Sequence, residues 1–267
     1  MNQPIAQRLD ERLAELETEW TTFDRDLRAG KLKHLHYDEK TQTLHSKKPK
    51  DNKAEKLQNR FYAQFPLRDI TDILRYSDEY SYLSSVFSHI QPRYAKSPLD
   101  KNSLYATLIA QAFNNGNLTM ADISDISYSR LFDTYQSRIR LGTLRKGNDC
   151  IVNVMKNLPI FPFYSLDLLI LYGGVDGQKY EVQTHTTKAR HSKKYYKKGK
   201  GVVAYTLLVN HMPLLTQLIG AHEHESYFTF DIWYNNTTGI IPTAITGDMH
   251  IINKANFAII RHSAVTF

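Results

Sequence analysis

Two aspartates carry the chemistry this chain suggests. Asp176 lies in GVDGQKYEV (174–182), at the end of an apolar run, and Asp248 lies in AITGDMHIIN (244–253), at the end of another. Between them runs KARHSKKYYKKGKG (188–201), with seven basic residues and no acidic one. Paired carboxylates beside a basic tract fit metal-dependent phosphoryl transfer on DNA. Hard oxygen ligands that leave water positions open suit Mg²⁺. Two such ions, about 4 Å apart, activate a nucleophile and stabilise the leaving oxygen of an in-line displacement. That chemistry usually takes a third carboxylate from a later helix, and residues 249–267 contain neither Asp nor Glu.

Each aspartate alone also reads as a turn residue beside glycine. Gly173, Gly174 and Gly177 around Asp176 leave the backbone open to an approaching ligand. The spacing between the two adds weight, since it leaves room for two more strands and a helix. In a ribonuclease-H-like sheet this puts Asp176 on strand one and Asp248 at the end of strand four. Those strands are neighbours, so the carboxylates converge.

In the tract, Lys188, Arg190, Lys193, Lys194, Lys197, Lys198 and Lys200 are suited to backbone phosphates. Tyr195 and Tyr196 offer ring faces for stacking or for packing lysine stems. A solvated basic loop is the plainer reading; proximity to the aspartates favours DNA. The run AHEHES (221–226) lacks the four-residue His spacing of a zinc-protease helix, because His222 and His224 are two apart. A polar helix start with Glu223 and Glu225 in its first turn suits it better. His250 either assists the site or is a loop residue. His34, His36 and His45 read as solvated surface in preference to a metal site.

The elements that must position these residues form an α+β chain. Ile5, Leu9, Leu13, Leu16, Trp20, Phe23 and Leu27 make one stripe of a helix over 5–29, with Pro4 at its start and Gly30 at its stop. That stripe suits either packing on its own protein, the reading adopted, or a short coiled coil. Residues 34–46 suit an exposed hairpin. Helices are expected over 69–82 and 99–114, from Tyr128 towards Arg145 with a break at Gly142, and over 149–157. Strands are expected at Leu168–Tyr172, Val202–Val209 and Ile240–Ile245. Helices are expected at Ser226–Tyr234 and from Asn256. The expected divisions are 1–56, an amphipathic helix and polar hairpin; 57–165, helical; and 166–267, an incomplete ribonuclease-H-like mixed sheet with helices.

The bulk numbers agree with a globular protein: 267 residues, 42% hydrophobic and 23% charged. The net charge of +7 equals the charge of the one tract, which points to a localised polyanion-binding surface. Cys150 stands alone, so no internal disulfide forms, and its setting reads as an apolar helix face. No signal peptide or membrane-spanning run is evident, and a cytoplasmic protein with no membrane partner is expected.

GVDGQKYEV, HSKKYYKKGKGVVAYTLL, IGAHEHESYFTFDIWYNN and ITGDMHIINKANFAI resemble consecutive blocks of the catalytic region of the Tn-three family transposases. LIAQAFNNGNLTMADISDISY and IRLGTLRKGNDCIVN resemble the helical segment before it. The resemblance implies a DDE mechanism with Mg²⁺, in which Asp176 and Asp248 match the two catalytic, metal-holding aspartates. It also implies DNA binding and replicative DNA transposition. No residue here matches the catalytic glutamate, and the match fades after Ile260. A truncated, inactive transposase is therefore expected, with DNA as partner and self-association or mixed assembly with an intact transposase possible. The alternatives are a non-catalytic DNA-binding remnant that interferes with an intact transposase, and a stand-alone metal nuclease.

Overall fold

The computed structural model describes residues 4–47, 64–95, 98–167, 169–183 and 186–263. Leu168, the expected division at 56/57 and the last four residues lie outside them. The chain forms two compact units, residues 1–67 and 68–267.

In the first unit, α1 (Ile5–Arg28) follows Pro4 and ends before Gly30, which has a positive φ. A hairpin follows, β1 (Leu35–Asp38) and β2 (Thr43–Ser46), paired antiparallel with Tyr37 opposite Leu44. Asp38 holds its turn by accepting the Lys40 N–H at 2.9 Å. Trp20, Phe23 and Leu27 of the helix share a groove with Leu35, Tyr37 and Leu44. The rest of the stripe departs from expectation. No described residue of α1 is buried, and Ile5 and Leu16 are 86% and 63% exposed. Among the described residues, packing on its own protein covers only the C-terminal part of the helix.

The second unit begins with α2 (Ile70–Ser81), α3 (Lys101–Ala112), α4 (Gly116–Ile123), α5 (Tyr128–Arg138) and α6 (Leu141–Lys156). Two small clusters hold them: Leu83, Phe87 and Leu104, and Ala110, Met120 and Leu131. Cys150 packs at the first, half-buried, as its helix face implied. The break expected at Gly142 falls earlier. Ile139 and Arg140 are extended, and the Arg140 N–H donates to Thr143 Oγ1 at 3.0 Å, which starts a new helix with Gly142 inside its first turn. α3 ends at Ala112, with Asn114 at a positive φ just beyond it, and Gly116 opens α4 from a positive φ. The buried carboxylate of Asp78 staples this bundle. It accepts from the Ser84 N–H and Oγ, from Lys101 Nζ at 2.7 Å and from the Tyr105 hydroxyl at 2.6 Å.

A mixed sheet follows: β3 (Tyr172–Val182), β4 (Arg190–His191), β5 (Lys200–Val209), β6 (Met212–Gly220) and β7 (Ala244–Gly247). β5 pairs antiparallel with β3 on one side and with β6 and the short β4 on the other; β7 pairs parallel with β3. The order β6–β5–β3–β7 is that of the first four strands of a ribonuclease-H-like sheet, so the α+β class holds. Two strand boundaries move. Asp167 Oδ1 accepts the Leu169 and Ile170 N–H groups, a turn that keeps the apolar run out of the sheet until Tyr172. Pro242 has no N–H to give the ladder, so the last strand starts at Ala244 and not at Ile240.

One face of the sheet is the core. Val175, Val203, Tyr205, Leu207, Leu215, Ile219 and Ile245 pack with Ile232 of α8 (Thr229–Tyr234), Ile260 of α9 (Lys254–His262) and Val152 of α6. Asn148 of α6 donates to the Pro213 and Leu214 carbonyls at 3.0 Å, joining helices to sheet. The opposite face carries Asp176, Gln178, Tyr180, Thr216, Leu218 and Thr246, all exposed among the described residues.

Candidate functional site

Asp176 stands in the middle of β3, not in a turn or at a strand end. Strand pleating sends Val175 and Gly177 to the core and Asp176 to the exposed face. The glycines around it divide the same way. A side chain at Gly173 would meet Pro242 and Leu207, and one at Gly177 would meet Glu225, so these two glycines serve packing. Gly174 has nothing near its missing side chain and shares the face of Asp176, so it alone leaves open backbone beside the carboxylate.

Asp248 directly follows β7. The parallel register runs Tyr172↔Ala244, Gly173↔Ile245, Gly174↔Thr246 and Val175↔Gly247. One step beyond the last pair lie Asp176 and Asp248. Asp176 Oδ1 accepts the Gly177 N–H and Asp248 Oδ1 accepts the His250 N–H, both at 2.8 Å. Both side chains are exposed. Together they offer hard, solvent-facing carboxylate donors, which suit a divalent cation of the Mg²⁺ type. Among the described residues no group of three or more His, Cys, Asp or Glu side chains is placed to hold a metal.

A third carboxylate lies close by in the fold but on the other side of the strand. Glu225, in a 3-10 turn at Glu225–Phe228, is buried against Gly177 and pairs with Lys179 Nζ at 3.0 Å. Glu223 is occupied too, accepting the Gly220 N–H at 2.5 Å. Tyr205 is fully buried beneath, its hydroxyl 3.0 Å from Thr229 Oγ1. Burial pushes its phenol pKa upward; the Thr229 contact opposes this, and the negative charges of Glu225, Asp248 and Asp176 add to it.

The basic tract is folded onto the sheet and is not a free loop. Arg190 and His191 form β4 on Gly201 and Lys200, and Lys193–Tyr196 make a single helical turn, α7. The two tyrosines have different settings. Tyr196 is 9% exposed, donates its hydroxyl to the Val202 carbonyl at 3.2 Å, and fills the space that a side chain on Gly201 would take. Tyr195 is 42% exposed, with Lys179 and Lys194 ammonium groups 4.7 and 4.9 Å from its ring centre. Lys188, Arg190, Lys193, Lys194, Lys197, Lys198 and Lys200 are all exposed. Arg190 bends back to the Thr187 and Ala189 carbonyls.

Sequence reasoning missed Lys179. Its signal was its position, three residues after Asp176 on the strand's other face, opposite a turn that begins with an acidic residue. His224 and His250 also come together, ring centres 6.2 Å apart, from two separate loops.

The family model described as the Tn3 transposase DDE domain matches residues 72–267. The chain is similar to the transposase for transposon gamma-delta of Escherichia coli strain K12, 25% identical over 207 residues, which is 72% of this chain and 19% of that protein. The chain thus spans about a fifth of the length of the curated relative it matches. No solved structure matches it significantly. No described helix is long and apolar enough to cross a membrane.

Proposed function

This chain belongs to the Tn3 transposase DDE domain family, and from that premise we propose that it binds DNA and carries two of the carboxylates of a metal-dependent phosphoryl-transfer site for DNA transposition. The observation that carries the reading is the parallel register of β3 and β7, which brings Asp176 and Asp248 to neighbouring positions one step past the last paired residues. Asp176 and Asp248 would hold the metal, with Mg²⁺ as the favoured ion. When bound, it would act as a Lewis acid on a phosphodiester oxygen.

The chain's own residues supply the rest. The exposed lysines of 188–200 meet backbone phosphates and set the strand's approach. Tyr195 offers one accessible ring beside them. Tyr205 and the packed core beneath β3 keep the Asp176 strand rigid. Glu223 and Glu225 are both engaged elsewhere and residues 249–267 contain no acidic residue, so residues 1–267 bring two carboxylates to this site. With those two alone, residues 1–267 are expected to bind DNA without strand transfer.

The deciding experiment is a cleavage and strand-transfer assay on transposon-end DNA with Mg²⁺ or Mn²⁺, alongside a DNA-binding titration. Binding without cleavage is expected. Absence of DNA binding would overturn the reading. Metal-dependent cleavage lost in Asp176→Ala would keep the site and overturn the inactivity.

A further inference from the structure

We propose that Lys179, held by Glu225, is a positioning residue that docks the phosphate-contacting tract onto the strand carrying Asp176. This deepens the reading above and rests on it for its functional consequence. Lys179 lies on β3 three residues from Asp176, on the core-facing side. Its ammonium pairs with the buried Glu225 carboxylate at 3.0 Å and lies 4.7 Å from the centre of the Tyr195 ring. One side chain therefore touches the 225–228 turn, the Asp176 strand and the helical turn of the tract.

The physical need for such a bridge is plain. α7 is four residues long, too short to hold its own conformation. It carries part of a run of seven positive charges that repel one another. Tyr196 anchors one side of it by packing under Gly201 and bonding to Val202. That anchor reaches β3 at Tyr180, whose backbone bonds to Tyr196, but it holds only the buried side of the turn. Lys179 ties the exposed side to β3 through the Tyr195 ring, a contact of the cation–π type. A further lysine beside a basic tract would normally repel it. Glu225 neutralises that charge, and the electron-rich ring face turns the remaining interaction attractive. A small cavity of about 70 Å³, lined by Lys179, Tyr195, Glu223, His224, Glu225 and His250, marks where these elements meet.

The test uses the full chain with Lys179→Met, Lys179→Arg and Tyr195→Leu, followed by amide hydrogen exchange over residues 190–198 and by DNA affinity. Lys179→Met removes the ion pair and the ring contact together. It should raise exchange in the tract about tenfold, the effect of losing about 1.4 kcal/mol of local stability. Peptides of α3 and α5 should be unchanged. Lys179→Arg keeps both contacts and should stay within about twofold of the parent. Tyr195→Leu should loosen the tract as Lys179→Met does, and the double variant should be no looser than either. Unchanged exchange in Lys179→Met, additive effects in the double variant, or no rescue by arginine would overturn the proposal. If Lys179→Met fails to fold, Tyr195→Leu and Lys179→Arg carry the same comparison. Exchange is read without DNA, so it decides the docking even if the parent chain binds no DNA, a result that would instead overturn the proposed function.

Discussion

The carboxylate of Glu225 occupies the space in which a side chain on Gly177 would stand, one residue along from Asp176 and on the opposite face of the same strand. Strand pleating makes that separation rigid. Asp176 faces outward, while Glu225 faces the core with Lys179 as its partner. An acidic residue close to Asp176 in the fold is thereby turned away from the proposed metal site.

Gly177→Ala follows directly. The added methyl overlaps the Glu225 carboxylate, so either the strand or the Lys179 pair must shift. Overpacking of this kind costs about 1–3 kcal/mol. Chemical denaturation should show that loss, and the cost should shrink in a Glu225→Ala background, where the obstruction is gone. Equal cost in both backgrounds would place the strain elsewhere.

Metal binding separates the carboxylates. Mn²⁺ titrated into the parent chain should bind weakly, since two aspartates form an incomplete set. Asp176→Ala and Asp248→Ala should each weaken it about tenfold or more, whereas Glu225→Gln should leave it unchanged. Retained binding in both aspartate variants would remove the paired-aspartate site.

Much of this was readable from residue types, and the failures have specific causes. Asp176 and Asp248 could be assigned to neighbouring strands because the intervening sequence held the right number of elements. The strand start at Tyr172 was hidden because an apolar run suggests β structure, while one aspartate, Asp167, caps the two N–H groups that a strand would have used. The shift of the last strand to Ala244 was readable in principle from Pro242. Glycine beside Asp176 looked like room for a ligand, yet two of the three glycines make room for Pro242, Leu207 and Glu225. Lys179 and Glu225 were invisible as a pair because their contact joins two elements distant in sequence. The same holds for Asp78, whose four hydrogen-bonding groups come from Ser84, Lys101 and Tyr105.

DNA affinity should depend on the tract and on salt. If about five of its charges meet phosphates, log K should fall with log salt at a slope of about −4.5. Changing Lys193, Lys194, Lys197 and Lys198 to Ala should weaken binding and lower the slope to about −1. Tyr195→Ala should weaken binding without changing the slope, because a ring contributes no counterion release. Tyr196→Ala should instead lower stability, as its ring and hydroxyl are buried. An unchanged slope in the four-lysine variant would sink the tract as the phosphate contact.

Asp78 sets the acid limit of the helical half. Burial by itself would raise its pKa, but hydrogen bonds from Lys101, Tyr105 and Ser84 outweigh it and bring the value down to about 2 from 3.8. A depressed carboxylate pKa stabilises the fold above its unfolded value and loses that contribution as pH falls through the folded one. The contribution is thus complete above about pH 4, is lost between about pH 4 and 2, and amounts to about 2 kcal/mol at neutral pH. Asp78→Asn keeps the shape and removes the charge. Denaturant unfolding at pH 7 should show the variant less stable by about 2–4 kcal/mol, because Lys101 loses its partner and one acceptor of the staple becomes a donor. The gap should narrow by about 2 kcal/mol when both proteins are measured near pH 2. A gap independent of pH would mean that packing, not the charge of Asp78, holds α2 to α3.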